Sequence, residues 1–230
     1  VAAGADPREA RIRVRRTHRL VASRFPPVDA LADVSPPADR DALNDLESWT
    51  NDRIRNEYGE RILIPRAEWA TGPNASVVMA AFCHPHPSGA RFTSGELGAW
   101  YAAFELRTAH AEVVFHRRPD FDEVGARSGR IQLREYLADF DATFHDVRDR
   151  RRFATLYHRR SYARSQALGV RLRDAGSNGL VYQSVRDPGH DCIVAFRPKL
   201  VRNVRQGAHF EYEWSGGFTP AIRQLTRRSK

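Results

Sequence analysis

The stretch RFTSGELGAWYAAFELRTAHAE, residues 91–112, decides how this chain is read. It begins with an arginine and a glycine-broken polar turn and ends on a glutamate. LGAWYAA, 97–103, has the small and aromatic apolar residues of a buried strand. FELRTAHAEVVFHRR, 104–118, has helical spacing instead. Leu106, Ala109 and Val113 fall on one apolar face, and Ala111, Val114 and Phe115 on another, so the helix is expected to be buried over most of its circumference. Thr108, Glu112 and His116 form an i, i+4, i+8 stripe between the two faces. Either this stripe is solvated or its carboxylate is aimed at a partner, because burying an unpaired carboxylate is costly.

Outward from this strand–helix pair, the chain mixes both element types. RIRVRRTHRLVAS, 11–23, reads as one or two strands, with Arg19 in its apolar part. RFPPVDALADVSPPADR, 24–40, is loop, because prolines punctuate it. DRDALNDLESWTNDRIRNEYG, 39–59, predicts a helix ending at Gly59. ILIP, 62–65, predicts a short buried strand. GPNASVVMAAFCH, 72–84, fits a short helix or strand, and HPHPSG, 84–89, is a turn. IQLREYLADFDATFHDV, 131–147, alternates in its first half and supplies a strand. SYARSQALGVRLRDAG, 161–176, is a helix stopped by Gly176. GLVYQ, DCIVAFRPK and VRQGAHFEYEW are further strands, and Ser184 stands between the first two, ahead of a Pro-Gly turn. Without regular βαβ alternation, the expected class is α+β. No GxGxxG, P-loop or GxSxG pattern occurs, so Rossmann-type dinucleotide binding, P-loop chemistry and a hydrolase elbow lack motif support.

Composition bounds the rest. The 230 residues, 41% hydrophobic and 28% charged, are enough for a sizeable core. No apolar run approaches the roughly 18 residues of a membrane helix. VAAGADPREARIRVRR lacks the apolar centre of a signal peptide, and a cytoplasmic protein is the expectation. Cys83 and Cys192 do not make a secreted disulfide framework, although a bond between them stays open. His84 and His86 in CHPHP are expected to be loop residues, and no metal site is expected. The net charge is +9, and all but two of the 37 basic residues are arginines. The short clusters at 11–16, 150–152 and 159–160 lack interleaved aromatics. A basic nucleic-acid-binding module is therefore one alternative, with an anionic ligand or acidic partner the other consequence of the charge.

HRLVASRFPP, GARFTSGELGAWYAAFELRTAHAEVVFH, SQALGVRLRDAGSNGLVYQSVRDPGHDCIVAFRP and FEYEW together resemble the RES-domain family, named for an Arg, a Glu and a Ser. Arg19 matches the first arginine of the family pattern, with Arg24 the other choice. Arg91-Phe92 matches its Arg–aromatic turn, Tyr101 its strand tyrosine, Glu112 its glutamate and Ser184 its serine. Ser165 is a second serine candidate. Two departures are visible: the turn reads GARF where Gly-Gly-Arg-Trp is common, and Ser184 follows Gln183 rather than proline. The resemblance spans roughly 17–215. Residues 1–10 are polar and expected to be frayed, the single domain is expected over 11–230, and by the resemblance 26–88 is an inserted helical region of a longer family branch.

The resemblance implies an ADP-ribosyltransferase-like curved, split β core with flanking helices, and a toxin of a bacterial toxin–antitoxin pair that consumes NAD+. An Xre-type helix-turn-helix antitoxin is the implied partner. NAD+ is a substrate there rather than a cofactor; phosphate or water accepts the ADP-ribosyl group, and inorganic phosphate is a possible co-substrate. The implied catalytic residues are Glu112, Arg19 and Ser184. Arg19, Arg91, Tyr101 and Ser184 are the implied NAD+-binding residues, with no metal. ADP-ribosyl transfer to a protein target is the alternative within the same chemistry.

Overall fold

The computed structural model describes residues 7–22, 64–123, 128–217 and 219–226, and side chains throughout except at 118–123. Seven strands are present among them: β1 Glu9–Ala22, β2 Trp100–Ala103, β3 Ser128–Asp146, β4 Gly179–Gln183, β5 Asp191–Ala195, β6 Arg202–Ser215 and β7 Ala221–Leu225. The helices are α1 Ala75–Cys83, α2 Leu106–Glu123 and α3 Ala163–Asp174. The class is mixed, with one large sheet and few helices. The loop and helix expected over 24–59, and with them most of the expected 26–88 insertion, lie outside the described residues. Ile64 is buried but not in a strand, and the chain turns there into the short 3-10 segment Arg66–Glu68. β1 already pairs at Glu9 and Ala10, with His145 and Phe144, so strand pairing includes residues placed before the expected domain start at 11.

The sheet runs β1-β2-β5-β4-β3-β6-β7, and β1 also pairs with β3, so five strands close on themselves. β3 makes this possible through its length. One edge runs antiparallel to β1 from Leu133 to His145. The other edge is shared: Ser128–Asp139 faces β6, and His145–Asp146 runs parallel to β4. Phe140, Ala142 and Phe144 continue the alternation of β3 beyond the half legible in sequence. β1 bends between Val14 and Thr17, where Arg16 takes a φ of 62°. Asp139 secures the bend: it accepts the Arg16 N–H at 2.9 Å and the Asn203 side-chain amide at 3.0 Å.

Two apolar clusters form the core. The larger contains Trp100, Phe82, Phe92, Phe140, Phe144, Leu180 and Ile193, all at most 2% exposed. The smaller unites Leu133, Phe210, Tyr212 and Trp214, and onto it pack Leu20 of β1 and Leu106, Val113 and Val114 of α2. A polar knot lies beside it. His18 bonds Glu135 at 2.6 Å, Glu135 accepts the Ala208 N–H at 2.9 Å, and His110 bonds the Tyr212 hydroxyl. Cys83 and Cys192 are buried and are not joined in a disulfide. No helix among the described residues is long and apolar enough to cross a membrane.

Candidate active site

The site begins with the contact between α2 and the turn that follows β4. Ser184 stands just past the end of β4 and is wholly buried. Its hydroxyl donates to the Glu112 carboxylate at 2.6 Å, and its oxygen accepts the N–H groups of Arg186 at 3.0 Å and Asp187 at 2.9 Å. The turn is fastened along α2. Asp187 accepts from the Thr108 hydroxyl at 2.7 Å and from Arg107 at 2.7 and 3.0 Å. The Thr108–Glu112–His116 stripe therefore faces the 184–187 turn. Contrary to the expectation from sequence, α2 is not buried over most of its circumference. It lies on the sheet surface, and the Glu112 side chain keeps 26% of its exposure. One carboxylate oxygen is bound by Ser184, and the other lies 3.8 Å from His116. Burial holds His116 below its ordinary pKa, against the pull of Glu112 and with help from Arg186 and Arg91.

The Arg91–Phe92 turn is built from the opposite direction. Gln166 of α3 donates to the carbonyls of Ser88, Ala90 and Thr93 at 3.0, 3.1 and 3.2 Å. One helical turn on, Gly169 lets the Phe92 backbone touch α3, where a Cβ would stand 2.0 Å from the Phe92 oxygen. Glycine in a helix interior costs about 1 kcal/mol relative to alanine, and this contact accounts for it. Tyr101 supports the turn from β2. Its hydroxyl accepts the Phe92 N–H at 3.0 Å and lies 3.3 Å from the Thr93 hydroxyl. Burial pushes this phenol up to about 12, so it stays protonated.

Four arginines around these elements share one kind of environment. Arg91 is 8% exposed, donates to the carbonyls of Leu156 at 2.9 Å and His158 at 3.2 Å, and stacks on Tyr162. Arg173 donates to the Leu97 and Gly98 carbonyls and stacks on Phe196. Arg186 donates to the Arg159 carbonyl at 2.6 Å and stacks on Phe115 of α2. Arg19 donates to the Tyr101 carbonyl at 3.1 Å and stacks on Trp100. Among the described residues none of the four has a carboxylate at ion-pair distance. Carbonyls and rings orient a guanidinium without cancelling its charge. The region around Tyr101 and Glu112 is thus cationic, and it can hold an anion.

Of the residues singled out in the sequence, Glu112 and Ser184 meet directly, and Tyr101 meets the Arg91–Phe92 turn. Arg19 reaches this group only through the Tyr101 backbone. Burial lowers its pKa to about 10, so it remains a cation at neutral pH. Ser184 is wholly buried, and its oxygen makes three bonds within the protein, one of them to Glu112. Ser165 is buried and bonds the Tyr162 carbonyl within its own helix start. Arg24 lies outside the described residues. Arg186 and Tyr162 went unrecognised in the sequence; the one available signal was the position of Arg186 two residues after Ser184. Among the described residues no group of three or more His, Cys, Asp or Glu could hold a metal ion. A groove of about 570 Å³ opens elsewhere, lined by Trp69, Pro73, Val78, Lys199, Arg202 and Val204, and it includes none of the site residues.

Comparison with known proteins adds three findings. An uncharacterized protein, y4oC, of Sinorhizobium fredii (strain NBRC 101917 / NGR234) is 25% identical over 86% of this chain and 83% of its own length. The crystal structure of the M. tuberculosis MbcT–MbcA toxin–antitoxin complex is similar over 54% of this chain and 72% of the matched one, at 14% identity and a TM-score of 0.40, too loose a likeness to bear on fold or function. The family model of the RES domain matches residues 60–215, which leaves Arg19 outside and includes Arg91, Tyr101, Glu112 and Ser184. With well over half of the sequence inside that match, the chain belongs to the RES domain family.

Proposed function

We propose that this chain is an NAD+-consuming enzyme that cleaves the nicotinamide–ribose bond, acts as the toxin of a toxin–antitoxin pair, and is held inactive by an Xre-type antitoxin. Membership of the RES domain family supports this reading, and the Glu112–Ser184 pair is the observation that carries it. Loss of nicotinamide leaves an oxocarbenium-like ribosyl cation, and a fixed carboxylate beside the ribose stabilises it. Glu112 is suited to that task. Ser184 sets its rotamer at 2.6 Å, while its other oxygen faces the part-exposed side of α2. In this reading Ser184 is a positioning residue, acting through Glu112. The C–N bond breaks with its electron pair going to nicotinamide, which leaves as a neutral base. Water or inorganic phosphate then bonds to the ribose carbon, giving ADP-ribose and a proton, or the phosphate ester. The carboxylate-free arginines supply the positive field for the diphosphate of NAD+.

The test is incubation of antitoxin-free protein with NAD+, with and without inorganic phosphate, and measurement of free nicotinamide. Release is expected, and the phosphate dependence identifies the acceptor. Label transfer from NAD+ to a lysate protein would instead assign the chemistry to protein modification. No nicotinamide under any of these conditions refutes the proposal.

A further inference from the structure

We propose that Arg186 is a second anion-binding residue of this site and grips a phosphoryl group together with Arg91, both held by the carbonyls of the 156–159 segment. The inference deepens the reading above and rests on it only for the identity of the ligand. Three observations carry it. First, the segment between the two guanidiniums fixes both. Arg91 is held by the carbonyls of Leu156 and His158 and stacks on Tyr162, and Arg186 is held by the carbonyl of Arg159 in the same short segment. Second, the charges do not balance. Arg186 stacks on Phe115, in the helix that carries Glu112, and among the described residues neither Arg186 nor Arg91 has a carboxylate at ion-pair distance. Two cations held by neutral carbonyls of one short segment repel each other, and an anion between them offsets that repulsion. Third, the Nε of Arg186 is buried without a hydrogen-bond partner. An unmet N–H in a desolvated place is costly, and an oxyanion would satisfy it.

The placement is rigid. The Arg186 N–H bonds Ser184, the same oxygen that positions Glu112, so the anion grip and the carboxylate share one turn. Phe115 of α2, stacked under the Arg186 guanidinium, ties it to the helix that carries Glu112. The ligand chemistry is a phosphoryl oxyanion. Its source is either the diphosphate of a dinucleotide or free inorganic phosphate.

Calorimetric titration with ADP-ribose and, separately, with inorganic phosphate distinguishes the sources. ADP-ribose keeps the diphosphate and has no nicotinamide to lose. Arg186→Gln should weaken at least one of the two by about tenfold or more, the loss of one charge-assisted hydrogen bond. Arg186→Lys keeps the charge without the planar fork and should fall between wild type and glutamine. Arg130→Gln removes an arginine paired with Glu213 on the exposed β3–β6 face and should change neither affinity, which separates a local grip from net charge. Circular dichroism melts identify any variant that fails to fold, and the lysine variant then decides. The proposal is overturned if wild type binds neither probe, or if folded Arg186 variants bind both within twofold of wild type. Binding that depends on Arg186 in a protein that releases no nicotinamide from NAD+ would leave the grip standing and remove the NAD+ reading.

Discussion

Ser184→Ala deletes one oxygen and three hydrogen bonds. The bond to Glu112 is charge-assisted, a class that contributes about 1.5–3 kcal/mol. The two others leave the N–H groups of Arg186 and Asp187 without their acceptor, at about 1–3 kcal/mol each if water does not replace it. These terms share one atom and do not add in full, since the vacated space can admit a water molecule. We therefore expect a loss of about 3 kcal/mol, a large share of the 5–15 kcal/mol typical of a domain. Urea unfolding followed by fluorescence reads it, with the midpoint falling and the slope unchanged. A double-mutant cycle with Glu112→Gln isolates the pair, and a coupling of about 1–3 kcal/mol is expected for residues in direct contact. An Ser184→Ala protein within about 0.5 kcal/mol of wild type, or a coupling near zero, would refute the claim that Ser184 positions Glu112.

Other consequences follow from the same geometry. Gly169→Ala places a Cβ against the Phe92 carbonyl, so despite its better helix propensity it should lower stability by about 1–3 kcal/mol and weaken NAD+ binding through Arg91; a more stable variant contradicts the packing account. Tyr101→Phe leaves the Phe92 N–H without its acceptor and should cost about 1–3 kcal/mol in urea unfolding. Stability should fall in two stages on acidification. Burial holds His110 below its ordinary value, so the unfolded chain takes up a proton first and stability drops as pH passes down through about 6.5. Glu135 and Asp139 are pushed up by burial but pulled further down by their hydrogen bonds. Their contribution is complete above the ordinary carboxylate range and is lost as pH falls through it. A urea midpoint that is flat from pH 7.5 to 5.5 contradicts the first stage.

The local parts of this picture were legible in the sequence because they depend on short spacings. Helical periodicity put Thr108, Glu112 and His116 on one stripe, and the strand–turn pattern put Ser184 at a strand end. What faces the stripe was not legible, because Ser184 lies 72 residues from Glu112. The closed part of the sheet was hidden for the same reason, since β1 pairs with β3 across more than a hundred residues. The half-open state of Glu112 escaped periodicity as well. An apolar helix surface looks buried in one dimension, yet α2 covers only one side of the small cluster around Phe210 and Tyr212. Arg186 escaped because nothing local marks an arginine whose partners are Phe115 and the Arg159 carbonyl. The exposed five-residue strand β7 carried no alternating apolar signal at all.

Glu112→Gln preserves the shape of the side chain and an acceptor for the Ser184 hydroxyl while removing the charge. The most direct test of the account is therefore single-turnover release of nicotinamide from NAD+ by wild type and by this variant, each shown to be folded. Wild type should release nicotinamide, and the variant should release none above background. Release by the variant at the wild-type rate would contradict the role assigned to the Glu112 carboxylate.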